Sequence, residues 1–516
     1  MKLTNRLNIL TVAAVALLAT ACADTDAQYD IPDVAAPVLV SESPAVASDV
    51  LLFGEKVITV KFDKNIGFAS KNVEKITLNG SPVKNAVVLG ASTDLTITAD
   101  VNFDKTQTLK IPAGLIVGPQ GKTYDQDITL TWTINDLADN EATAMTKKLG
   151  WGWNMGNHFD TSGDAIKNGW GYWDGVTTVT EAPFKKLASV GAKTVRMPVT
   201  WTDHMGEGNI INADYLDEVA AAVDLAIGAG LNVILNTHHD SFETGLGSAA
   251  DDAKVAKEDS TLIADLWKQV ATRFASYGDQ LIFETFNEVH AGDDWGTGSE
   301  AQFDLLNKWN QYAVDAIRST GGNNATRWIG VSGYAANIQL TLDNLVLPKD
   351  PANHLMVGVH CYDPYGFCLH PVNDDGSIGY NSWGHNADPA MSVAGNNEEY
   401  ILALLYKLRT AYIEKGIPCY LGEYGCVNQP SELANAYRKY YLEFFCRAAN
   451  LAGLPMFIWD NNSKGTGNEA CGLLDHANGD WIGEGETLIP MMVQACTSTD
   501  SSYDFATIWN KSPKGN

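Results

Sequence analysis

The chain has 516 residues, with 62 Asp and Glu against 35 Lys and Arg, a formal net charge of −27. That balance argues against nucleic acid or an anionic membrane surface as the main partner and is compatible with a neutral one. Charged residues at 19% and hydrophobic ones at 45% mark a globular chain, too long for one ordinary core, so two domains or a large barrel with an accessory are expected.

In chain order, residues 1–22 read as a targeting segment. Lys2 and Arg6 make a basic start, and "ILTVAAVALLATA" (9–21) is apolar but too short to span a bilayer. It ends in "ATAC", where small residues before a lone Cys resemble a bacterial lipobox. That resemblance implies that Cys22 carries lipid, as an outer-membrane lipoprotein facing the cell surface; ordinary secretory cleavage near the same place is the alternative. Residues 23–37 are a polar, acidic tether. No other stretch is long enough to be a transmembrane helix.

Residues 38–135 read as all-β. "KVITVKF" and "DITLTWTI" alternate with period 2, which places Ile128, Leu130, Trp132 and Ile134 on one face. Turn signals such as "NGSP" and "GPQG" separate short strands, and the segment looks like a bacterial immunoglobulin-like sandwich. Its aromatics are Phe53, Phe62, Phe68, Phe103, Tyr124 and Trp132. At least three sit in strand patterns that bury them, so a spacer is favoured over a sugar-binding module. Residues 136–148 read as a linker.

From 149 to 516 the texture changes. The apolar runs "LGWGWNM", "KTVRMPV", "NVILNTH", "LIFETFN", "RWIGVSG", "LMVGVHC", "PCYLGEY" and "PMFIWD" alternate with helical patterns such as "SELANAYRKYYLEFFCRAANLAG". Eight strands alternating with helices imply a (β/α)8 barrel, an α/β TIM fold whose active site lies where the strands end. Seven cysteines follow Cys22, an odd number with no CxxC or Cys/His finger. Most read as small buried residues rather than a zinc site.

Polar residues stand at nearly every strand tip: Arg196 and Trp201, His238 with His239 and Asp240, Asn287 and Glu288, His360 and Tyr362, Glu423, and Trp459. Glu284 also interrupts the fourth run. Two carboxylates facing each other across a barrel mouth are what a glycosidic bond needs, one protonated and one ionised. Arg196 and the Tyr362 hydroxyl can hold Glu423 ionised. Asn287 can bond a sugar 2-hydroxyl, and Trp459 can stack under the ring.

The motifs "GWNMGNHFD", "TVRMPVTW", "VILNTHHD", "LIFETFNE", "VHCYDPYGF", "LGEYG" and "FIWDNN" resemble, in order and spacing, glycoside hydrolase family 5, most closely its subfamily 4 of endo-β-1,4-glucanases and xyloglucanases. The likeness covers about residues 145 to 500. It implies Glu288 as acid/base and Glu423 as nucleophile of a retaining enzyme acting on a plant cell-wall β-glucan. Arg196, His238, Asn287, His360, Tyr362 and Trp459 are implied around them, and Asn157 and His239 join as candidate substrate contacts. No cofactor or metal is expected, and the chain is expected to be a monomer. The chain departs from the family in having Cys361 where an aromatic is usual, Val289 for Pro, Ile458 for Trp or Phe, and Asn462 for Gly.

Three alternatives use the same residues. A metal-dependent hydrolase would take His238, His239 and Asp240 as ligands, but adjacent strand residues point to opposite faces. A surface protein that binds glycan without cleaving it would not need both carboxylates. A mannanase or xylanase would differ only in loops and pocket shape.

Overall fold

The computed structural model describes residues 32–70 and 73–514. Cys22 and the segment 1–22 lie outside the described residues. The chain divides into two compact units. One takes in the described chain up to Ser43, Val57–Thr98 and Leu109–Thr129; the other holds Pro44–Lys56, Ala99–Thr108 and the chain from Leu130 onward.

The N-terminal region forms two four-stranded sheets. One orders its strands Leu39–Ser43, Gly54–Phe62, Asp94–Val101, Asn85–Val87; the other Ile128–Thr133, Thr106–Ile111, Thr77–Leu78, Ser81–Pro82. Alternate residues are buried along the long strands, as period-2 patterning requires. Ile128, Leu130, Trp132 and Ile134 are all buried. The Trp132 indole donates to the Pro44 carbonyl at 3.1 Å, so its buried N–H has a partner. None of the six aromatics of this region is exposed.

The larger unit contains a closed parallel barrel. Its strands are β1 Trp151–Asn154, β2 Thr194–Met197, β3 Asn232–Asn236, β4 Leu281–Glu284, β5 Ile329–Asn337, β6 Leu355–Cys361, β7 Cys419–Tyr424 and β8 Met456–Ile458. Every one of the eight apolar runs is a strand. Each strand is followed by a helix: α1 Ala182–Ser189, α2 Ala213–Gly228, α3 Ala253–Arg273, α4 Glu300–Ser319, α5 Ile338–Asn344, α6 Glu398–Ala411, α7 Glu432–Ala452 and α8 Gly485–Thr497. Helix α7 stops at Gly453, whose φ of 75° is the left-handed cap that glycine adopts without a Cβ clash.

The expected linker 136–148 is not all loop. Glu141–Leu149 is a helix, opened by an Asn140–Thr143 capping box. Its Met145 and Leu149 pack with Ile234, Ile282, Met356, Tyr420 and Phe457, five inward-facing barrel residues. The helix thus plugs the N-terminal end of the barrel and leaves the other end for chemistry. No helix among the described residues is long and apolar enough to cross a membrane. All seven described cysteines are buried free thiols.

Candidate active site

The site is built around one fully buried guanidinium. Arg196 points inward from β2. An unpaired charge there would be prohibitively desolvated, so all five of its N–H groups need acceptors. They have them. Nε and Nη2 donate to Glu284 Oε1 at 3.0 and 2.7 Å. Nη2 also reaches Asn287 Oδ1 at 2.8 Å. Nη1 donates to Asn154 Oδ1 at 2.9 Å and Glu423 Oε1 at 2.7 Å. Burial disfavours the charge, but Glu284 and Glu423 more than reverse this and hold the guanidinium above its ordinary range.

Glu284 explains the carboxylate inside the apolar fourth run. It is a buried counter-ion, also accepting from Asn236 Nδ2 at 3.0 Å and from Tyr420 Oη at 2.6 Å. Tyr420 crosses the barrel interior from β7 to reach it. A Cβ on Gly330 or Gly358 would lie 2.1 or 2.7 Å from the phenol oxygen, so both strands carry glycine where the ring passes.

Glu423, at the tip of β7, accepts from Arg196 and, on its other oxygen, from Tyr362 Oη at 2.8 Å. Burial pushes its carboxyl up; His360, Arg196 and the Tyr362 hydroxyl outweigh burial and bring it below its ordinary value. Glu288, beyond the tip of β4, is more open, with 20% of its side chain exposed against 7% for Glu423. Its Oε1 lies 2.6 Å from His360 Nδ1, which sits 3.7 Å from Glu423 Oε2. Burial disfavours a charged His360, but the two carboxylates outweigh it and raise its pKa. One oxygen of each carboxylate and a ring nitrogen of His360 all lie within 4.8 Å of one another. Carboxyl groups about 5–5.5 Å apart suit double displacement, whereas pairs about 6.5–9.5 Å apart leave room for an intervening water.

Asn287 is oriented by Arg196. Its oxygen is used there, so its NH2 points outward, with one N–H on Glu243 Oε1 at 3.1 Å. Glu243 in turn takes His239 Nδ1 at 2.9 Å; burial opposes charging His239, but this bond together with the charges of Glu243 and Asp160 outweighs it and raises the His239 pKa. His238 is buried and its pKa is pushed well below the ordinary value, first by burial. Asn236 fixes its tautomer. The amide oxygen accepts from Val199 N–H at 3.1 Å, so Nδ2 donates to His238 Nδ1 at 3.2 Å. The ring proton is then on Nε2, facing Asp160 at 3.9 Å. Asp240 turns away from the histidines and caps the Trp201 and Thr202 amides at 2.8 and 2.7 Å. Asn157 is half-buried in the loop after β1; its φ is 64° and its carbonyl accepts from Asp174 N. No hydrogen bond places Asn157 on either carboxylate among the described residues.

Trp459 follows β8, its ring parallel to His238 at 5.8 Å. A Cβ on Gly156 would lie 2.7 Å from the indole, so glycine is required beneath it. The next residue, Asp460, accepts from Trp153 Nε1 at 2.9 Å and lies 3.3 Å from His476 Nε2. His476 Nδ1 contacts Asp174 at 3.0 Å, and Asp174 also takes His158 at 3.0 Å. Asn462, at the position where the resemblance leads Gly to be expected, has a φ of 61°, and Asn is among the few residues other than Gly that enter this region readily. Its side-chain nitrogen donates to the Asp174 carbonyl at 2.8 Å.

This cluster carries a pH prediction. Burial opposes charging His476, but Asp174 and Asp460 outweigh it and push the imidazole up to about 9, from an ordinary 6.5. A raised folded value means that the stabilisation is complete below about 6.5 and lost as pH rises through about 9. Melting temperature should therefore fall over that window more steeply in the wild type than in His476→Gln. Parallel slopes would show that the imidazole is not charged.

A parallel barrel with two carboxylates at facing tips, one ionised by a buried arginine, is the architecture of a glycoside hydrolase. Residues 154–465 match the family model described as Cellulase (glycosyl hydrolase family 5). An endoglucanase A of Clostridium longisporum is 32% identical over 354 residues, 66% of this chain and 63% of that one. The chain thus spans less than two thirds of that relative's length. A Bacteroidetes-affiliated GH5 cellulase linked with a polysaccharide utilization locus superposes with a TM-score of 0.68 at 37% identity, covering 73% of this chain and 98% of that chain. A GH5-4 broad specificity endoglucanase from Bacteroides salanitronis gives 0.65 at 39% identity, over 70% and 97% of the two chains. The chain belongs to glycosyl hydrolase family 5.

Sequence reasoning missed the layer beneath the tips: Asn154, Asn236, Glu243, Tyr420, and the Asp174–His476–Asp460 cluster. It noticed Glu284 without a role. A usable signal was present. Asn236 and His238 share strand parity, as do Glu284 and Ile282, so each inner polar residue falls on the inward face.

Proposed function

We propose that this chain is a retaining endo-β-1,4-glucanase, cleaving internal bonds of a plant cell-wall β-glucan such as cellulose, mixed-linkage glucan or xyloglucan. The observation that carries this reading is Glu423, bonded by Arg196 and Tyr362 and held ionised, with Glu288 and His360 within 4.8 Å. The related structures named as cellulase and broad specificity endoglucanase support the substrate class.

In the first step Glu423 attacks the anomeric carbon, the bond to the leaving sugar breaks, and the Glu288 proton passes to the departing oxygen. In the second, water attacks the glycosyl–Glu423 ester while Glu288 takes its proton, and the carboxylate is released. The free N–H of Asn287 donates to the sugar 2-hydroxyl, a contact that strengthens as positive charge develops. Trp459 stacks under the ring at the bond being cut, and His238, His239 and Asn157 complete the substrate contacts. The enzyme acts as a monomer without cofactor or metal.

A panel of carboxymethylcellulose, mixed-linkage glucan, xyloglucan, glucomannan and xylan, with product lengths measured, tests this reading. Short β-1,4-linked glucan oligosaccharides of mixed length are expected. Activity confined to xylan or mannan would overturn it.

The "ATAC" motif supports a lipid on Cys22, with "ADTD" after it resembling a surface-export signal. The enzyme is then an outer-membrane lipoprotein facing outward, and the immunoglobulin-like sandwich is its spacer, a role supported by the absence of exposed aromatics among its six. Cys22→Ala should move the protein out of the membrane fraction. Equal pelleting of variant and wild type would refute the anchor.

A further inference from the structure

Trp295 is 52% exposed, on the loop between β4 and α4. Isolated exposed aromatics are ordinary, but this one is held in place. The Asp294 carboxylate accepts from the N–H groups of Gly296, Thr297 and Gly298 at 3.1, 2.9 and 2.8 Å, and from the Thr297 hydroxyl at 2.6 Å. Tyr334 Oη donates to the Asp294 carbonyl at 2.8 Å. The indole lies over the His290 imidazole with ring centroids 3.8 Å apart and planes 30° from parallel. His290 is buried, and its Nδ1 lies 2.5 Å from the Glu288 carbonyl. One face of the indole is therefore packed on a buried ring that is itself bonded to Glu288. The other face is open.

A flat apolar face presented to water on a stapled loop suits the apolar face of a pyranose ring. Its side of the cut follows from chemistry. The proton donor must meet the oxygen of the leaving sugar, and Trp295 continues the same loop beyond the proposed donor. Trp459, beside β8, serves the sugar whose anomeric carbon is attacked. The geometry points to Trp295 as the platform of a leaving-group subsite, which takes a glucosyl unit of the departing chain on its open face. This inference rests on the proposed endoglucanase reading and on Glu288 as donor.

The test compares two substrates that share the glycosyl part. Cellopentaose has sugars on both sides of the cut. β-Cellobiosyl fluoride has only a fluoride ion as leaving group, so nothing stacks on Trp295 and no proton is required. Full-length wild type, Trp295→Ala and Trp295→Phe are assayed on both. The ratio of kcat/KM for cellopentaose to that for the fluoride should fall roughly ten-fold in the Ala variant, the scale of losing one buried apolar face. The Phe variant should recover most of it. A ratio left at the wild-type value overturns the subsite. So does an equal loss on both substrates, which would make Trp295 only a brace for the Glu288 loop. If wild type cleaves neither substrate, the endoglucanase reading falls and takes the subsite with it; if wild type cleaves both, the ratio judges the subsite alone.

Discussion

Glu423→Gln is expected to abolish turnover of both polymeric glucan and activated aryl glycosides, by a factor on the order of 10⁵ or more, as for other enzymes stripped of their nucleophile. The substitution keeps shape and volume. The amide oxygen still accepts from Arg196 and the amide nitrogen faces the Tyr362 oxygen, so the barrel should melt close to wild type. Glu288→Ala should behave differently. Hydrolysis of a glucan, whose alkoxide leaving group needs a proton, should drop about 10²–10⁴-fold. The first step on an aryl glycoside with an acidic phenol should suffer much less, because that group departs without help. Azide can then enter the space left by the side chain and attack the glycosyl–enzyme ester, giving a β-glycosyl azide. Rescue should be confined to the Glu288 variant. Rescue of a Glu423 variant through an inverted azide product, without loss in Glu288→Ala, would exchange the two roles.

Arg196 is expected to be nearly as costly to replace, for a different reason. Arg196→Met leaves Glu284 and Glu423 buried without their shared cation. Removing one member of a buried pair typically costs about 3–5 kcal/mol, so the melting temperature should fall sharply along with activity. Arg196→Lys keeps a charge but not the fork that serves Glu284, Asn154, Asn287 and Glu423 together. This variant should fold, yet lose roughly 10²-fold or more in kcat as the ring of contacts loosens. The direction of its pH profile is also set. Arg196 helps hold the Glu423 carboxyl below its ordinary value. Weakening that hold raises the carboxyl pKa, so the acid limb of kcat/KM should move to higher pH. An acid limb that stays in place would mean that Arg196 does not govern Glu423, whatever happens to the rate.

Much of the barrel was legible because strand and tip coincide. Each of the eight apolar runs became a strand, and the polar residue closing a run fell at the mouth. Parity alone would have added Asn236 and Glu284 to the inward face. What could not be read were contacts that exist only once the barrel closes. Tyr420 meets Glu284 across the interior, 136 positions away in sequence, through a gap kept open by Gly330 and Gly358. No local pattern announces that. The Asp174–His476–Asp460 cluster likewise joins the loop after β1 to the long loop after β8. The plug helix Glu141–Leu149 looks like linker in the sequence because its only large apolar residues are one turn-spaced pair, Met145 and Leu149, set among alanines and polar residues. Asn462 shows the opposite case. The departure from the Gly that the resemblance implies is intelligible only with its φ of 61° in hand, a conformation that Gly and Asn both enter readily.

The central claim is that Glu423 forms a covalent bond to the sugar. Wild-type enzyme treated with a 2-fluoro-cellobioside bearing a good leaving group should stall at the first intermediate, because fluorine slows both steps and the leaving group rescues only the first. Peptide mass spectrometry should then find one added fluorocellobiosyl group on the peptide containing "LGEYG", at Glu423. A label on the peptide containing "LIFETFNEVH", or none on an enzyme that cleaves the parent glycoside, would contradict the account.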